Sequence, residues 1–234
     1  MNKYVFRRYS PLYKSFFDLE RKRLQAKLAK NVAIEHIGST AVPGLGGKNI
    51  LDIAIGPKTG LSGSKAKLEK LGYQFIEAAG TENRLFLRRD YLFQRKKVRV
   101  HIHLIKFNSS DWTEMIAFRD YLRNNKEATK EYIKIKRRAA QLAEGNKDTY
   151  TKIKSPFIQM TIEKALKRIE QETIRFCSTE VRITRSGRIR LKNSISGWRQ
   201  KPQDSGSRER INCRRLYRTA VESRMKAGRC HEHD

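Results

Sequence analysis

Two short runs rich in branched apolar residues, VAIEHI at 32–37 and ILDIAI at 50–55, flank a stretch that holds Gly38, Pro43, Gly44, Gly46 and Gly47. Apolar runs of this length bounded by turn residues read as strands rather than helices. Glycine and proline at that density make the connection between them a loop. A third run, VRVHIHLI at 98–105, alternates strictly, with Val98, Val100, Ile102 and Leu104 opposite Arg99, His101 and His103. Strand side chains point alternately to the two faces of a sheet, so this pattern demands one apolar face and one polar, titratable face. Those three runs commit the chain to a sheet before any helix is considered.

Helical spacing surrounds the strands. Residues 13–30 place Phe16, Phe17, Leu19, Leu24 and Leu28 three and four apart among lysines and arginines, as an amphipathic helix requires. Residues 61–71 predict a second helix, closed by Gly72 in a left-handed cap. Residues 73–78 and 84–89 predict further strands, with 90–97 as a hairpin connection into 98–105. Three helices follow. Asp111 caps one reaching about residue 124, another spans 126–143, and Pro156 starts one that reaches 172. The order helix, mixed βαβββ sheet, three helices defines an α+β fold, with a mixed sheet and helices packed on it.

Beyond residue 174 the character changes. Residues 175–234 carry sixteen basic and six acidic side chains, and their apolar residues are scattered among Arg, Ser and Gly. Such a composition cannot offset the entropy of ordering a backbone, so the expectation is a folded domain over 1–174 and a basic, disordered tail over 175–234. All three cysteines, Cys177, Cys213 and Cys230, fall in that tail. Their odd number and wide spacing fit free thiols in a reducing cytoplasm better than a secreted disulfide framework, and the N-terminus does not read as a secretion signal. No apolar run is long enough for a spanning helix, so no membrane partner is expected. The whole chain has 52 Lys and Arg against 24 Asp and Glu, a net charge of +28. That surplus favours phosphate-rich or otherwise anionic partners, RNA among them.

The candidate site is built on the same strands. Gly38 directly after the first strand lets backbone N–H groups approach an anion, the Ser39 hydroxyl adds a donor, and Lys48 offers a point charge to phosphate. Asp52 interrupts an apolar strand and shares a face with Ala54. It could hold a hard cation, face solvent, or pair with a lysine. His101 and His103 could ligate a metal, carry protons, donate to phosphate, or serve as structural histidines. The face taken by His36 is open. Arg84, Arg88, Arg99 and Lys106 lie on neighbouring strands and could line the same cleft. Arg119 and Asp120 read as a structural contact between helix and sheet, and Lys136 and Lys152 are weaker candidates.

Three runs, EHIGSTAVPGLGGKNILDIAI, VRVHIHLI and WTEMIAFRDYLRNN, resemble the GrpB family, a branch of the polymerase-beta-like nucleotidyltransferase superfamily. The resemblance covers about residues 1–170 and implies a nucleotidyltransferase-type α+β fold. It further implies a nucleoside triphosphate as ligand, with Gly38 and Ser39 on its phosphates, to which Lys48 and Arg84 are the added candidates by charge and position. A divalent metal (magnesium, manganese or zinc) would sit on Asp52, His101 and His103, with Asp52 and His103 catalytic in nucleotidyl transfer to an unknown acceptor. Ala54 stands where such enzymes carry a second carboxylate, which weakens a two-metal site and tilts a single site towards manganese or zinc. The alternative implied is an inactive nucleotide- or RNA-binding module of the same fold.

Overall fold

The computed structural model describes residues 6–81, 83–93, 95–177, 179–183 and 189–193. It divides into two compact units, Met1–Leu166 and Lys167–Asp234. The first holds a five-stranded sheet of β1 (Ala33–Ile37), β2 (Ile50–Gly56), β3 (Gln74–Phe75), β4 (Arg84–Phe93) and β5 (Lys96–Ile105), in the order β1-β2-β5-β4-β3. Only the central β2–β5 pair is parallel; the other pairs are antiparallel. A parallel pair needs a long crossover, and here α2 (Leu61–Lys70) with β3 and β4 supplies it.

Alternation sorts the two faces as the sequence predicts. Leu51, Ile53, Ile55, Val100, Ile102, Leu104 and Leu87 form one core with Phe16, Phe17 and Leu24 of α1 (Leu12–Gln25) and Leu68 of α2. Its buried carboxylate, Glu20, accepts hydrogen bonds from the hydroxyls of Tyr73 and Tyr91. A second, separate core joins Val42 and Leu45 of the glycine-rich loop to Leu122, Tyr132 and Phe157. These come from α3 (Ser110–Asn124), α4 (Lys126–Leu142) and α5 (Lys147–Cys177). Helices gathered after a mixed sheet are what the order of elements implied. The second core is what clamps the loop in place.

Several boundaries differ from expectation, beginning with α3, which Ser109 rather than Asp111 caps by accepting from the Trp112 amide. The β4–β5 ladder runs on to Phe93 opposite Lys96, where a connection over 90–97 was expected. The charged run there hides a strand because Asp90 and Arg99 face each other as a bidentate ion pair, both bonds 2.7 Å, while Phe93 stacks on Phe16 at 4.5 Å. The strand expected over 73–78 shrinks to Gln74–Phe75, followed by a 3-10 turn at Glu77–Ala79. Pro156, expected at a helix start, lies inside α5. The start is fixed earlier by Asn146, whose side chain accepts from the amides of Asp148 and Thr149 and so satisfies donors that no turn of helix can reach. Proline inside a helix removes one intrahelical bond. Phe157 beside it, stacked on Tyr132 at 5.0 Å, supplies packing that favours continuation.

In the second unit, β6 (Thr179–Ile183) and β7 (Ile189–Asn193) pair antiparallel. The sequence predicts disorder over 175–234; the end of α5, β6 and β7 fall in that range, and residues 178, 184–188 and 194–234 lie outside the described residues, with Cys213 and Cys230 among them. Among the described residues no helix is long and apolar enough to cross a membrane.

Candidate functional site

The polar face of the sheet centres on Asp52. Its register neighbours are Ile37 on β1 and His101 on β5, while Ala54 stands between Glu35 and His103. Gly38 follows β1 with φ 72° and ψ −165°, a backbone region that essentially only glycine adopts. The loop then passes so close to Asp52 that a Cβ at Gly38 would stand 2.3 Å from its Oδ2. On the other side, His101 Nδ1 lies 3.2 Å and His103 Nε2 3.8 Å from Asp52 Oδ1. Phe86 on β4 sets its ring edge-on to both imidazoles, at 4.8 and 5.4 Å. Burial pushes the Asp52 carboxyl up, but hydrogen bonding and charge from the two imidazoles outweigh it and hold the group well below the usual carboxylate range. Its side chain is 21% exposed, so a fixed negative charge faces a partly open site.

Lysines close the opposite side. Lys136 of α4 is 4% exposed and donates to the Gly46 carbonyl at 2.5 Å. A Cβ at Gly47 would stand 2.6 Å from Ser39 Oγ and 2.7 Å from Lys136 Nζ, so the serine and the ammonium meet over a bare backbone. Lys48 and Lys154 place their ammonium groups 4.5 and 4.4 Å from the centroid of one ring, Tyr150. Burial and mutual repulsion lower Lys136 to about 7 and Lys48 to about 8, and burial lowers Lys154, while the charge of Asp52 opposes the shift in all three. Lys154 was not singled out by sequence, and Lys136 was ranked low. Lysines on α4 and α5 stand in lysine-rich runs where a buried one looks like its exposed neighbours.

Other expected residues are placed elsewhere. Gly38, Ser39, Lys48, Asp52, His101 and His103 converge, but Arg84 pairs with Ile105, whereas His101, four residues back along β5, is the one beside Asp52. At about 3.3 Å per residue that is roughly 13 Å along the strand, so register puts Arg84 at the far end of the face from the phosphate-type loop. Arg88, opposite His101, has the closer register. Arg99 is engaged by Asp90. Arg119 is buried and bridges α3 to β1: its guanidinium donates to Glu35 at 2.8 Å, to the His36 carbonyl at 3.0 Å, and twice to Asp120.

His36 faces the apolar core and stacks on Phe17 at 4.8 Å. Thr40 donates to the Ile50 carbonyl, so the 3.0 Å contact between Thr40 Oγ1 and His36 Nε2 places the imidazole proton on Nε2. Burial, with the charge of Arg123, lowers this histidine to about 3. The unfolded state therefore binds a proton below about pH 6.5 that the folded state refuses, and stability falls as pH drops from 6.5 towards 3. Between pH 6.5 and 4 the expected loss from this group is about 1–3 kcal/mol. Urea titrations across that range on wild type and His36→Gln test it; equal slopes for the two would remove His36 as the cause.

The donors do not fit the metal centre that the sequence resemblance leads one to expect. Two-metal transfer needs several anionic ligands to hold two doubly charged ions about 4 Å apart. Asp52 is the lone carboxylate on β2, both imidazoles are turned towards its Oδ1, and Glu35 beside Ala54 is bound by Arg119. Among the described residues no group of three or more His, Cys, Asp or Glu is arranged to hold a metal ion.

Comparison with known proteins agrees with this architecture. The chain is 32% identical over 162 residues to the UPF0157 protein BH1888 of Halalkalibacterium halodurans, covering 67% of this chain and 80% of that one. It is 29% identical over 155 residues to the Glutamate-rich protein GrpB of Alkalihalophilus pseudofirmus, covering 64% of this chain and 88% of the relative. The crystal structure of conserved protein GrpB from Enterococcus faecalis superposes with a TM-score of 0.61 at 29% identity, over 70% of this chain and 98% of that one. The family described as GrpB protein matches residues 4–164, which holds the whole loop, sheet and lysine cluster, and the chain belongs to the GrpB family.

Proposed function

We propose that this chain binds a nucleoside triphosphate with its phosphates against Gly38, Ser39 and the facing lysines, and transfers the nucleotidyl group to an acceptor hydroxyl. The observation that carries the reading is the carboxylate–imidazole pair of Asp52 and His101, 3.2 Å apart, beside an electropositive loop. Asp52 stays ionised and too weakly basic to take a proton itself. It orients His101 through Nδ1 and leaves Nε2 as the base. His101 suits this role better than His103, which stands 3.8 Å from the carboxylate and is the one expected from sequence. In the step, the acceptor oxygen gives its proton to His101 Nε2 and bonds to the α-phosphorus. The bond to the bridging oxygen breaks and pyrophosphate leaves.

Pyrophosphate release and transfer of label from a triphosphate radiolabelled at its α-phosphate test the reading. His101→Gln is expected to lower turnover at least about 100-fold with nucleotide affinity little changed, the usual contribution of a general base. Equal turnover in wild type and variant would remove His101 from the chemistry. Ala54 favours a second reading, a module that holds nucleotide without turning it over. Nucleotide binding with no label transferred to any hydroxyl acceptor would support that one, and no nucleotide binding at all would end both.

A further inference from the structure

The polar face of the sheet carries Glu35 on β1, Asp52 on β2 and Asp90 on β4, and each of these carboxylates is already claimed. Arg119 holds Glu35, the two imidazoles hold Asp52, and Arg99 grips Asp90 with two bonds. Two cations on the same face are left over. Arg84, Phe86 and Arg88 alternate along β4 in register with Ile105, His103 and His101 of β5. Both arginines are half-buried, and among the described residues neither side chain closes a hydrogen bond or an ion pair. Arg88 lends charge to Asp90 without a bond to it, and Arg84 Nε is enclosed with no partner, as is Nδ1 of His103. Buried polar atoms are nearly always satisfied, so guanidinium groups left without an acceptor point to one supplied from outside the chain. Arg88 also lines a recess of about 300 Å³ with Gly72, Gln74, Arg89 and Asp90, which leaves room for one.

We infer that Arg88 and Arg84 bind phosphate carried by the acceptor, so the hydroxyl that receives the nucleotidyl group belongs to a phosphorylated molecule lying over β4 and β5. This rests on the nucleotide reading above and adds the class of acceptor, which that reading leaves open. Position favours it over a further contact to the triphosphate. β4 lies two strands from Asp52, roughly 10 Å at the usual strand spacing, on the side away from β1 and the loop that follows it. Arg88, directly opposite His101, has its Cα about 5 Å from that of the proposed base. An acceptor held there brings its hydroxyl to Nε2 from one side while the triphosphate enters from the other. Arginine suits the task because its planar fork meets phosphate oxygens in pairs.

Calorimetric titration of the full chain with ATP, ribose, ribose 5-phosphate and single-stranded pentauridylate tests the site. At least one of the two phosphorylated probes should bind about tenfold or more tighter than ribose, and Arg88→Met should weaken that probe about tenfold, as loss of one charge-assisted hydrogen bond does. ATP affinity should stay within about twofold in Arg88→Met, whereas Ser39→Ala should weaken ATP and spare the probe. Binding of ribose 5-phosphate that depends on the arginines identifies a small phosphorylated alcohol as acceptor. Such binding by pentauridylate alone identifies a nucleic-acid end, and each arginine removed should then flatten the slope of log affinity against log salt by about 0.7. Lys130→Met, an exposed lysine on α4 paired with Glu127, should leave all affinities unchanged, separating the site from the general basicity of the chain. Label from a triphosphate radiolabelled at its α-phosphate should pass to the same probe, with Arg88→Met raising its KM and leaving kcat little changed. Arginine-dependent binding of a probe without any ATP binding would keep the phosphate site and overturn the nucleotide reading. No binding of either phosphorylated probe, or affinities unaltered in both Arg88→Met and Arg84→Met, would overturn the site and leave the nucleotide reading standing. A tenfold loss of ATP affinity in Arg88→Met would assign the arginine to the triphosphate and overturn it as well.

Discussion

Arg119→Met is expected to destabilise the folded unit by about 3–5 kcal/mol, the usual cost of removing one partner from a buried, hydrogen-bonded ion cluster. The guanidinium is 6% exposed and gives two bonds to Asp120, one to Glu35 and one to the carbonyl of His36. Removing it leaves a Glu35 carboxylate only 21% exposed without its cation, and a β1 carbonyl without its donor. Asp120, at 43% exposure, can turn to water, so the larger part of the penalty falls on Glu35. For a unit of this size each kcal/mol lowers the melting temperature by about 2–4 °C, so a drop on the order of 10 °C is expected. Arg119→Lys should recover little of it, because a single ammonium cannot span acceptors that a planar fork reaches from both edges. Glu35→Gln in the Met background should recover part, because the uncompensated charge is gone. A loss under 1 kcal/mol in Arg119→Met, measured by urea unfolding, would mean that α3 and β1 are held together by packing alone.

That cluster also explains why some of the site was legible in the sequence and some was not. The strands announced themselves because alternation in VRVHIHLI and the lone Asp52 in ILDIAI are local signals that survive without tertiary information. Glu35 lies in the same quoted run as Gly38, yet its place beside Ala54 follows only from the β1–β2 register, which no single strand encodes. Arg84 was a candidate because it lies on a strand neighbouring the site, and a strand's sequence alone does not say which of its residues comes beside His101. Once the ladder continues to Phe93 and Lys96, register carries Arg88 rather than Arg84 to His101. Lys136 and Lys154 were obscured for a different reason. Helical periodicity tells which residues share a face, but not which lysine on that face meets a loop some 90 residues away in the chain, as Lys136 meets Gly46. Contacts of that kind are set by how helices stack on the second core, through Val42, Leu45, Leu122, Tyr132 and Phe157.

Gly38→Ala is expected to cost about 3 kcal/mol or more, with Asp52 as the cause of the larger share. Two penalties combine. At φ 72° and ψ −165° an L side chain is strained by about 1–3 kcal/mol wherever it points. In addition the new methyl would stand 2.3 Å from Oδ2, 2.9 Å from Cγ and 2.9 Å from Cβ of Asp52, none of which can retreat without breaking the 3.2 Å approach of His101. Gly44 separates the two terms: it has φ 80° but nothing within 4 Å of a would-be Cβ, so Gly44→Ala should show the conformational cost alone, about 1 kcal/mol. A double-mutant cycle sharpens the comparison. In an Asp52→Gly background all three nearest obstacles disappear, and the cost of Gly38→Ala should fall by about 1–3 kcal/mol, the coupling expected of residues in direct contact. Equal costs in the two backgrounds would assign the whole effect to backbone strain. If the coupling is found, the glycine that follows β1 is required by the carboxylate packed against it, independently of any ligand. Gly38 then carries no weight of its own for phosphate binding, and the case for an anion at this site rests on Ser39 with Lys136, which both approach the bare backbone of Gly47.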